Sequence, residues 1–211
     1  CRFGRRATRI DTAAHALELD GGERLAYDRL ILAPGARVRR LPAIEAGAAP
    51  HAYLRTLRDA VALRARLKPG TNVVLLGGGV IGMEVAASAR TLGCEVTVME
   101  LAPRIMSRAL NETMSAHVAA YHQAKGVTLR LGCEVTGSAP GGQPGLMLRN
   151  GSIVPADLVI IGIGVVPNIE LARDSGILCR DGIVVDEYAA TSAPDVFAAG
   201  DAVQYPDSFF G

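Results

Sequence analysis

The central part of the chain alternates short apolar runs with longer amphipathic segments, and this pattern predicts strands and helices in turn. Apolar runs at 72–76, 95–99 and 127–131 predict strands. Between them, the segments 80–92 and 111–125 are followed by a glycine and predict helices. Strands that alternate with helices in this way form a parallel sheet. The region therefore predicts a β-α-β-α-β unit, which is half of a doubly wound α/β fold.

Shorter elements are predicted on both sides of this unit. Before it, the pattern predicts a hairpin, a buried strand and a polar helix, at 16–19 with 24–26, at 30–33 and at 57–67. After it, three short strands with Asn150-Gly151 as a hairpin turn predict a small antiparallel meander, at 134–136, 146–148 and 152–154. Further strands are predicted at 158–161, 183–185 and 196–199. The glycine- and proline-rich stretch 137–145 predicts an exposed loop.

Composition narrows the class of protein. The 211 residues carry 22 Lys and Arg against 21 Asp and Glu, a net charge of +1, so neither a nucleic-acid nor a membrane-surface partner is expected. No apolar run is long enough to span a bilayer, and the first residues lack the apolar core of a secretory signal. These features indicate a cytoplasmic protein. Because the chain begins with Cys1 rather than Met, we expect it to be a fragment.

The cysteines and histidines predict no chemistry of their own. Four cysteines are scattered along the chain without C-x-x-C or another close spacing, which is typical of small buried side chains in a reducing compartment. The four histidines form no cluster with metal-ligand spacing. We therefore predict no metal site and give these cysteines and histidines no catalytic role; no other side chain is assigned as catalytic either.

A glycine motif joins the first predicted strand of the central unit to its first helix. Gly77, Gly79 and Gly82 have the G-x-G-x-x-G spacing, with Val80 and Ile81 between the last two. In such a motif the first glycine permits a tight turn, the second lets the backbone approach a pyrophosphate, and the third lets helix and strand pack closely. The N-terminus of the helix then faces the phosphates. These five residues predict a dinucleotide-binding loop.

Acidic residues at two positions strengthen this prediction. Glu100 ends the next strand, 18 residues after Gly82, close to the place of an acid that binds a ribose hydroxyl. A carboxylate there repels a 2′-phosphate, so NADH is favoured over NADPH; Arg104 and Arg108 either soften this preference or are solvated charges. Glu84 either holds the nicotinamide end of the dinucleotide or is a first-turn glutamate favoured by the helix dipole alone.

Gly200-Asp201 follows the predicted strand 196–199 and is either a turn or a site for a sugar-alcohol hydroxyl. With this dipeptide, five motifs in order resemble those of the FAD-dependent pyridine nucleotide–disulfide oxidoreductase superfamily; they are 32–36, 77–84, Glu100, 162–168 and 199–201. The stretches 103–108 and 197–203 are most similar to those of its ferredoxin and rubredoxin reductases, in particular the reductase components of aromatic-ring dioxygenase systems.

The resemblance implies a Rossmann-like NAD-binding domain inserted into a partial FAD-binding domain. On this basis residues 39–164 form the NAD domain, and 1–38 with 165–211 form two pieces of the FAD domain. The implied enzyme passes electrons from NADH through FAD to a ferredoxin or rubredoxin-type iron–sulfur protein. The N-terminal glycine loop that binds the FAD pyrophosphate in this family is missing, so the chain resembles the middle of a longer enzyme.

The resemblance also implies roles for residues of the NAD domain. The glycine motif binds the NAD pyrophosphate, Glu100 the adenosine ribose, and Glu84 the nicotinamide end. Arg108 is placed near the adenosine part and Gly164 near the nicotinamide.

For FAD, the resemblance implies that Asp201 binds the ribitol, while Ala33, Gly35 and Arg39 line the flavin nucleotide. The family has Thr where this chain has Pro34, which removes a hydroxyl group and a backbone donor. Two alternatives stay open: a disulfide reductase or NADH oxidase of the same superfamily, and a non-catalytic nucleotide-binding fragment.

Overall fold

The computed structural model describes residues 1–206. The strands in chain order are β1 (Ala7–Asp11), β2 (Ala16–Leu19), β3 (Arg24–Ala26), β4 (Leu30–Leu32), β5 (Ala36–Val38), β6 (His51–Tyr53), β7 (Asn72–Leu76), β8 (Glu95–Glu100), β9 (Val127–Leu131), β10 (Val135–Ser138), β11 (Gly145–Leu148), β12 (Ile153–Pro155), β13 (Leu158–Ile161), β14 (Val165–Pro167), β15 (Ile183–Val184), β16 (Val196–Ala198) and β17 (Val203–Gln204). The helices are α1 (Pro42–Glu45), α2 (Leu57–Arg66), α3 (Val80–Thr91), α4 (Glu112–Ala124) and α5 (Glu170–Asp174), with a 3-10 turn at Pro140–Gly142.

The chain divides into two compact units. The inserted unit is Val38–Gly164, and the flanking unit consists of Cys1–Arg37 together with the chain from Val165 onward. The last residues of the predicted FAD segment, 207–211, lie outside the described residues.

A parallel sheet organises the inserted unit. Its five strands have the order β6-β13-β7-β8-β9, and every neighbouring pair is parallel. The predicted β-α-β-α-β unit is confirmed as β7, α3, β8, α4 and β9. Strands β13 and β6 extend the sheet on the other side of β7, so the α/β fold class is confirmed with β7 at the centre.

The two faces of this sheet bury different layers, because successive strand residues point to opposite faces. Val73 and Leu75 of β7 belong to a core that includes Met83 of α3 and Leu63 of α2. The neighbouring β7 residues Val74 and Leu76 belong to a second core, which the meander β10-β11-β12 covers with Leu146, Leu148 and Val154. With helices on one face and the predicted meander on the other, β7 is fully buried except at its first residue.

The expectation of an exposed loop at 137–145 is wrong in part. Gly137 and Ser138 belong to β10, Gly145 begins β11, and Ala139 between them is 5% exposed. Gly145 has φ of +149°, and a Cβ there would lie 2.6 Å from the Val154 carbonyl oxygen. Glycine is therefore required at this position because β11 and β12 approach closely, and not because the chain makes an open turn.

Short strands and a separate core form the flanking unit. β1, β2 and β3 form an antiparallel sheet that contains the predicted hairpin, while β4 pairs with β16 and β15 with β17, both in parallel. Its core includes Ile10, Leu32, Ile183 and Val196. Among residues 1–206, no helix has the length and apolar character needed to cross a membrane.

Candidate functional site

Two of the three motif glycines are required by backbone contacts. Gly77, directly after β7, has φ of +104°, and a Cβ on it would collide with the carbonyl oxygen of Gly162 after β13. A Cβ on Gly82 in α3 would collide with the carbonyl oxygen of Gly77. The loop is therefore held between β13 and α3 at distances that a larger residue does not permit.

The remaining motif glycine faces open space. Gly79 is the N-cap of α3, and a Cβ on it would meet no atom within 4 Å. Val80 and Ile81, the first residues of the helix, are 47% and 53% exposed. The N-terminus of α3 is thus accessible, and its unpaired amides and its dipole favour an anion there.

Glu100 lies against this loop from the end of β8. Its Oε2 accepts the Gly78 amide proton at 2.6 Å, and its Oε1 accepts that of Ala102 at 2.8 Å. Each carboxylate oxygen has a second lone pair, so the group can accept further hydrogen bonds while it holds the loop. The carboxyl ends of β7, β8 and β13 meet at one edge of the sheet, which is where parallel α/β folds bind ligands.

The two arginines after β8 differ in their contacts. Arg104 donates to the backbone carbonyls of Leu110 at 2.6 Å and Ser107 at 3.0 Å. Arg108 is exposed, and its guanidinium makes no hydrogen bond or ion pair within residues 1–206. The sequence predicts the same alternatives for both arginines, whereas in the structure Arg104 binds backbone carbonyls and Arg108 is accessible.

Glu84 is the fifth residue of α3, beyond the first turn, which contains no acidic residue. The explanation from the helix dipole alone is therefore wrong for this position, because that effect is confined to the first turn. Its side chain is exposed and is bound to no partner in the described part of the chain. Gly164 follows β13 with φ of +102°, and its carbonyl accepts the Arg39 amide proton at 3.0 Å.

In the flanking unit, the predicted flavin residues lie at the ends of two paired strands. β4 and β16 are parallel, and the Ala199 amide donates to the Leu32 carbonyl at 3.0 Å, so Ala33 and Asp201 follow strands that end at one edge. Both residues are exposed. Arg39 belongs instead to the inserted unit.

The turn at Pro34-Gly35 is anchored by Asn168. Its side-chain amide donates to the Pro34 carbonyl and its backbone amide to the Gly35 carbonyl, both at 3.0 Å. Arg37 in turn donates to the Asn168 side-chain oxygen at 2.8 Å. Gly35 has φ of +66°, which favours glycine. The side chain and the backbone amide of Asn168 thus hold the two carbonyls of this turn, in which Pro34 supplies no amide proton.

Ser115 was missed by the sequence analysis. It is 1% exposed within α4, and its hydroxyl donates to the Ile105 carbonyl at 2.7 Å. The signal available in the sequence was a serine on the apolar side of an amphipathic helix, which by itself does not name an acceptor. Met106 was also missed: its amide donates to the Gly78 carbonyl at 2.7 Å.

The cysteines are free thiols in the structure. Burial raises the pKa of the Cys94 and Cys179 thiols, which keeps them protonated near neutral pH. Within residues 1–206, no group of three or more His, Cys, Asp or Glu side chains is arranged to hold a metal ion.

Comparison with known proteins decides the family. The model of the pyridine nucleotide-disulphide oxidoreductase family matches residues 1–209. The chain belongs to this family. It is 45% identical over 205 residues to the ferredoxin–NAD(+) reductase component of the p-cumate 2,3-dioxygenase system of Pseudomonas putida, covering 97% of this chain and 50% of the relative.

Two further matches are a rubredoxin reductase and a putidaredoxin reductase. The rubredoxin–NAD(+) reductase of Pseudomonas putida is 39% identical over 204 residues, covering 96% of this chain and 53% of that protein. The crystal structure of the covalent putidaredoxin reductase–putidaredoxin complex matches with a TM-score of 0.89 and 38% identity, covering 97% of this chain and 51% of that one. The chain thus spans about half the length of the relatives it matches.

Proposed function

We propose that this oxidoreductase is an NADH-dependent flavoprotein reductase that passes electrons through FAD to a ferredoxin or rubredoxin-type iron–sulfur protein. One observation carries the proposal: the glycine loop at the N-terminus of α3 leaves open space at Gly79, with the Glu100 carboxylate bonded to Gly78 beside it. Relatives named as ferredoxin and rubredoxin reductases support the same activity.

The residues of the inserted unit fit a dinucleotide. The space that a Cβ on Gly79 would enter suits a pyrophosphate, and the amides at the start of α3 suit its charge. We assign the pyrophosphate to Gly77, Gly79 and Gly82 with Val80 and Ile81, and we propose that the unit Val38–Gly164 is the NAD domain.

The two ends of the dinucleotide are assigned to different strands. Glu100 can accept hydrogen bonds from both ribose hydroxyls of the adenosine, and its charge disfavours a 2′-phosphate. Exposed Arg108, in the segment that follows β8, is assigned to the adenosine end. Glu84, beyond the first turn of α3, and Gly164, after β13, are assigned to the nicotinamide end.

For FAD we propose the flanking unit. Asp201 follows Gly200, which has φ of +82° and open space around its missing side chain, and it can accept hydrogen bonds from a ribitol. Ala33 and Gly35 are assigned to the flavin nucleotide, and the same role for Arg39 rests on the family resemblance alone.

When bound, the nicotinamide supplies a hydride, and the flavin takes up an electron pair and releases electrons one at a time. The protein residues bind and orient these groups, and the proposal gives no side chain a role as acid or base. We propose an electron acceptor of the ferredoxin or rubredoxin type as the partner of this protein, and we propose no nucleic-acid or membrane partner. The free thiols support the cytoplasm as its compartment.

The test is an anaerobic titration of the purified, FAD-supplemented protein with NADH and then NADPH, following the flavin absorption band. We expect bleaching by NADH at concentrations well below those needed for NADPH. Subsequent addition of an oxidised ferredoxin or rubredoxin should restore the band as the acceptor is reduced. Reoxidation by a disulfide substrate but not by an iron–sulfur protein would instead favour a disulfide reductase. NADH binding without any flavin binding would favour a nucleotide-binding fragment.

A further inference from the structure

The segment after β8 folds into a compact turn, here called the 104–110 loop. The amides of Ala109 and Leu110 both donate to the Met106 carbonyl, each at 2.9 Å. Met106 itself has φ of +49°, a left-handed conformation that non-glycine residues adopt only at a cost. Such a turn requires support from its surroundings.

Arg104 supplies support from within the loop. Its two terminal nitrogens donate to different carbonyls, Nη1 to Leu110 at 2.6 Å and Nη2 to Ser107 at 3.0 Å. The planar guanidinium presents these donors in a fixed arrangement, so it holds Ser107 and Leu110 in one geometry relative to each other. Hydrogen bonds from a charged donor are among the stronger ones in proteins.

The same loop is bonded to the glycine motif. The Met106 amide donates to the Gly78 carbonyl at 2.7 Å, and the fully buried Ile105 side chain lies beneath Gly78. On its other side, the Gly78 amide donates to Glu100. Both polar groups of Gly78 are thereby held, one by the ribose-binding carboxylate and the other by the loop that Arg104 closes.

We infer that Arg104 is a positioning residue that sets the affinity for the adenosine half of the dinucleotide. The inference rests on the proposed NADH site. Because both of its terminal nitrogens are bonded to backbone carbonyls, Arg104 acts through the loop, which places the Met106 amide against Gly78 and carries exposed Arg108. Without it, the loop samples other conformations, and binding must include the cost of ordering it.

The experiment measures equilibrium binding of NADH and of ADP-ribose, which lacks the nicotinamide, to the purified protein. Arg104→Gln removes the charge and the paired donors, and Arg104→Lys retains charge but offers a single nitrogen. Arg64→Gln, at an exposed cation on α2, is the matched control. We expect Arg104→Gln to weaken both ligands by the same factor, about tenfold, with partial rescue in Arg104→Lys and no change in the control.

Hydrogen exchange of residues 104–110 provides the second measurement. Arg104→Gln should accelerate exchange of the Met106 and Leu110 amides, whereas Arg108→Gln should weaken binding without accelerating them. If the wild-type protein binds NADH, and Arg104→Gln binds both ligands as tightly as the wild-type protein does, the positioning role is refuted. The proposed function is then unaffected. Weakened binding of NADH alone, with ADP-ribose unaffected, also refutes it. A wild-type protein that binds neither ligand overturns the proposed function itself.

Discussion

Alanine substitution at two of the motif glycines should separate stability from nucleotide affinity. In Gly82→Ala the new methyl group is directed at the carbonyl oxygen of Gly77, a backbone atom that cannot rotate away. In Gly79→Ala it enters open space, at a backbone conformation of φ −74° and ψ −177° that alanine also adopts. The two changes add the same atom, so their difference reports the surroundings alone.

The magnitudes follow from these surroundings. Forcing a methyl group into a packed position costs about 1–3 kcal/mol, and alanine recovers about 0.5–1 kcal/mol over glycine within a helix. The centres of these ranges differ by about 1 kcal/mol, so Gly82→Ala should lose roughly 1 kcal/mol, which lowers Tm by about 2–4 °C for a chain of this size. Gly79→Ala should stay within about 0.5 kcal/mol, because the entropy gained offsets the poorer N-cap.

Affinity for NADH should be reduced in Gly79→Ala, the variant whose stability is nearly unchanged. If a methyl group at position 79 prevents one charge-assisted hydrogen bond to a phosphate, the loss of about 1.5–3 kcal/mol corresponds to roughly 10–100-fold weaker NADH binding. Chemical denaturation monitored by circular dichroism gives the stability of both variants, and titration with NADH gives the affinity of folded Gly79→Ala. Unchanged stability of Gly82→Ala, or wild-type affinity of Gly79→Ala, would refute this reasoning.

Three further predictions concern other positions. Glu100→Ala should narrow the preference for NADH over NADPH by about tenfold or more in the ratio of their dissociation constants, because a 2′-phosphate no longer faces a carboxylate. Ser115→Ala leaves the Ile105 carbonyl without its buried donor and should cost about 1–3 kcal/mol in urea denaturation. Hydrogen bonds from the Thr56 amide, the Thr56 hydroxyl and the Arg55 amide lower the pKa of Asp59 from its usual 3.8. The stabilisation of α2 by the Asp59 carboxylate is therefore complete above pH 3.8 and is lost as the pH falls through the lowered pKa. Asp59→Asn should remove this acid dependence of the unfolding midpoint.

Elements with a long apolar or amphipathic repeat were predictable from the sequence. β7, α3, β8, α4 and β9 lie within one or two residues of their predicted positions, since each is part of a long alternation of apolar and amphipathic segments. Strands of two or three residues such as β6 and β17 were missed. Such strands are too short to show alternation, and their pairing depends on partners distant in sequence.

Some features of the candidate site were likewise predictable from the sequence and others were not. The spacing of Gly77, Gly79, Gly82 and Glu100 was readable because it matches a short local motif, and backbone contacts require glycine at positions 77 and 82. The bonds of Arg104, Met106 and Ser115 were not, since an arginine that binds carbonyls of its own loop resembles a solvated one in sequence. The glycines of the stretch 137–145 predicted a loop, but Gly145 is required because two strands pack closely there.

Calorimetric titration of the purified protein with NADH measures whether the unit Val38–Gly164 binds NADH, which we place at the carboxyl edge of its sheet. We expect one site per chain with a dissociation constant of roughly 1 μM to 1 mM, in the range usual for enzyme substrates. We also expect at least about tenfold weaker binding of NADPH to the wild-type protein, and of NADH to Gly79→Ala. Absence of NADH binding at millimolar concentration, or equal binding by Gly79→Ala, would contradict it.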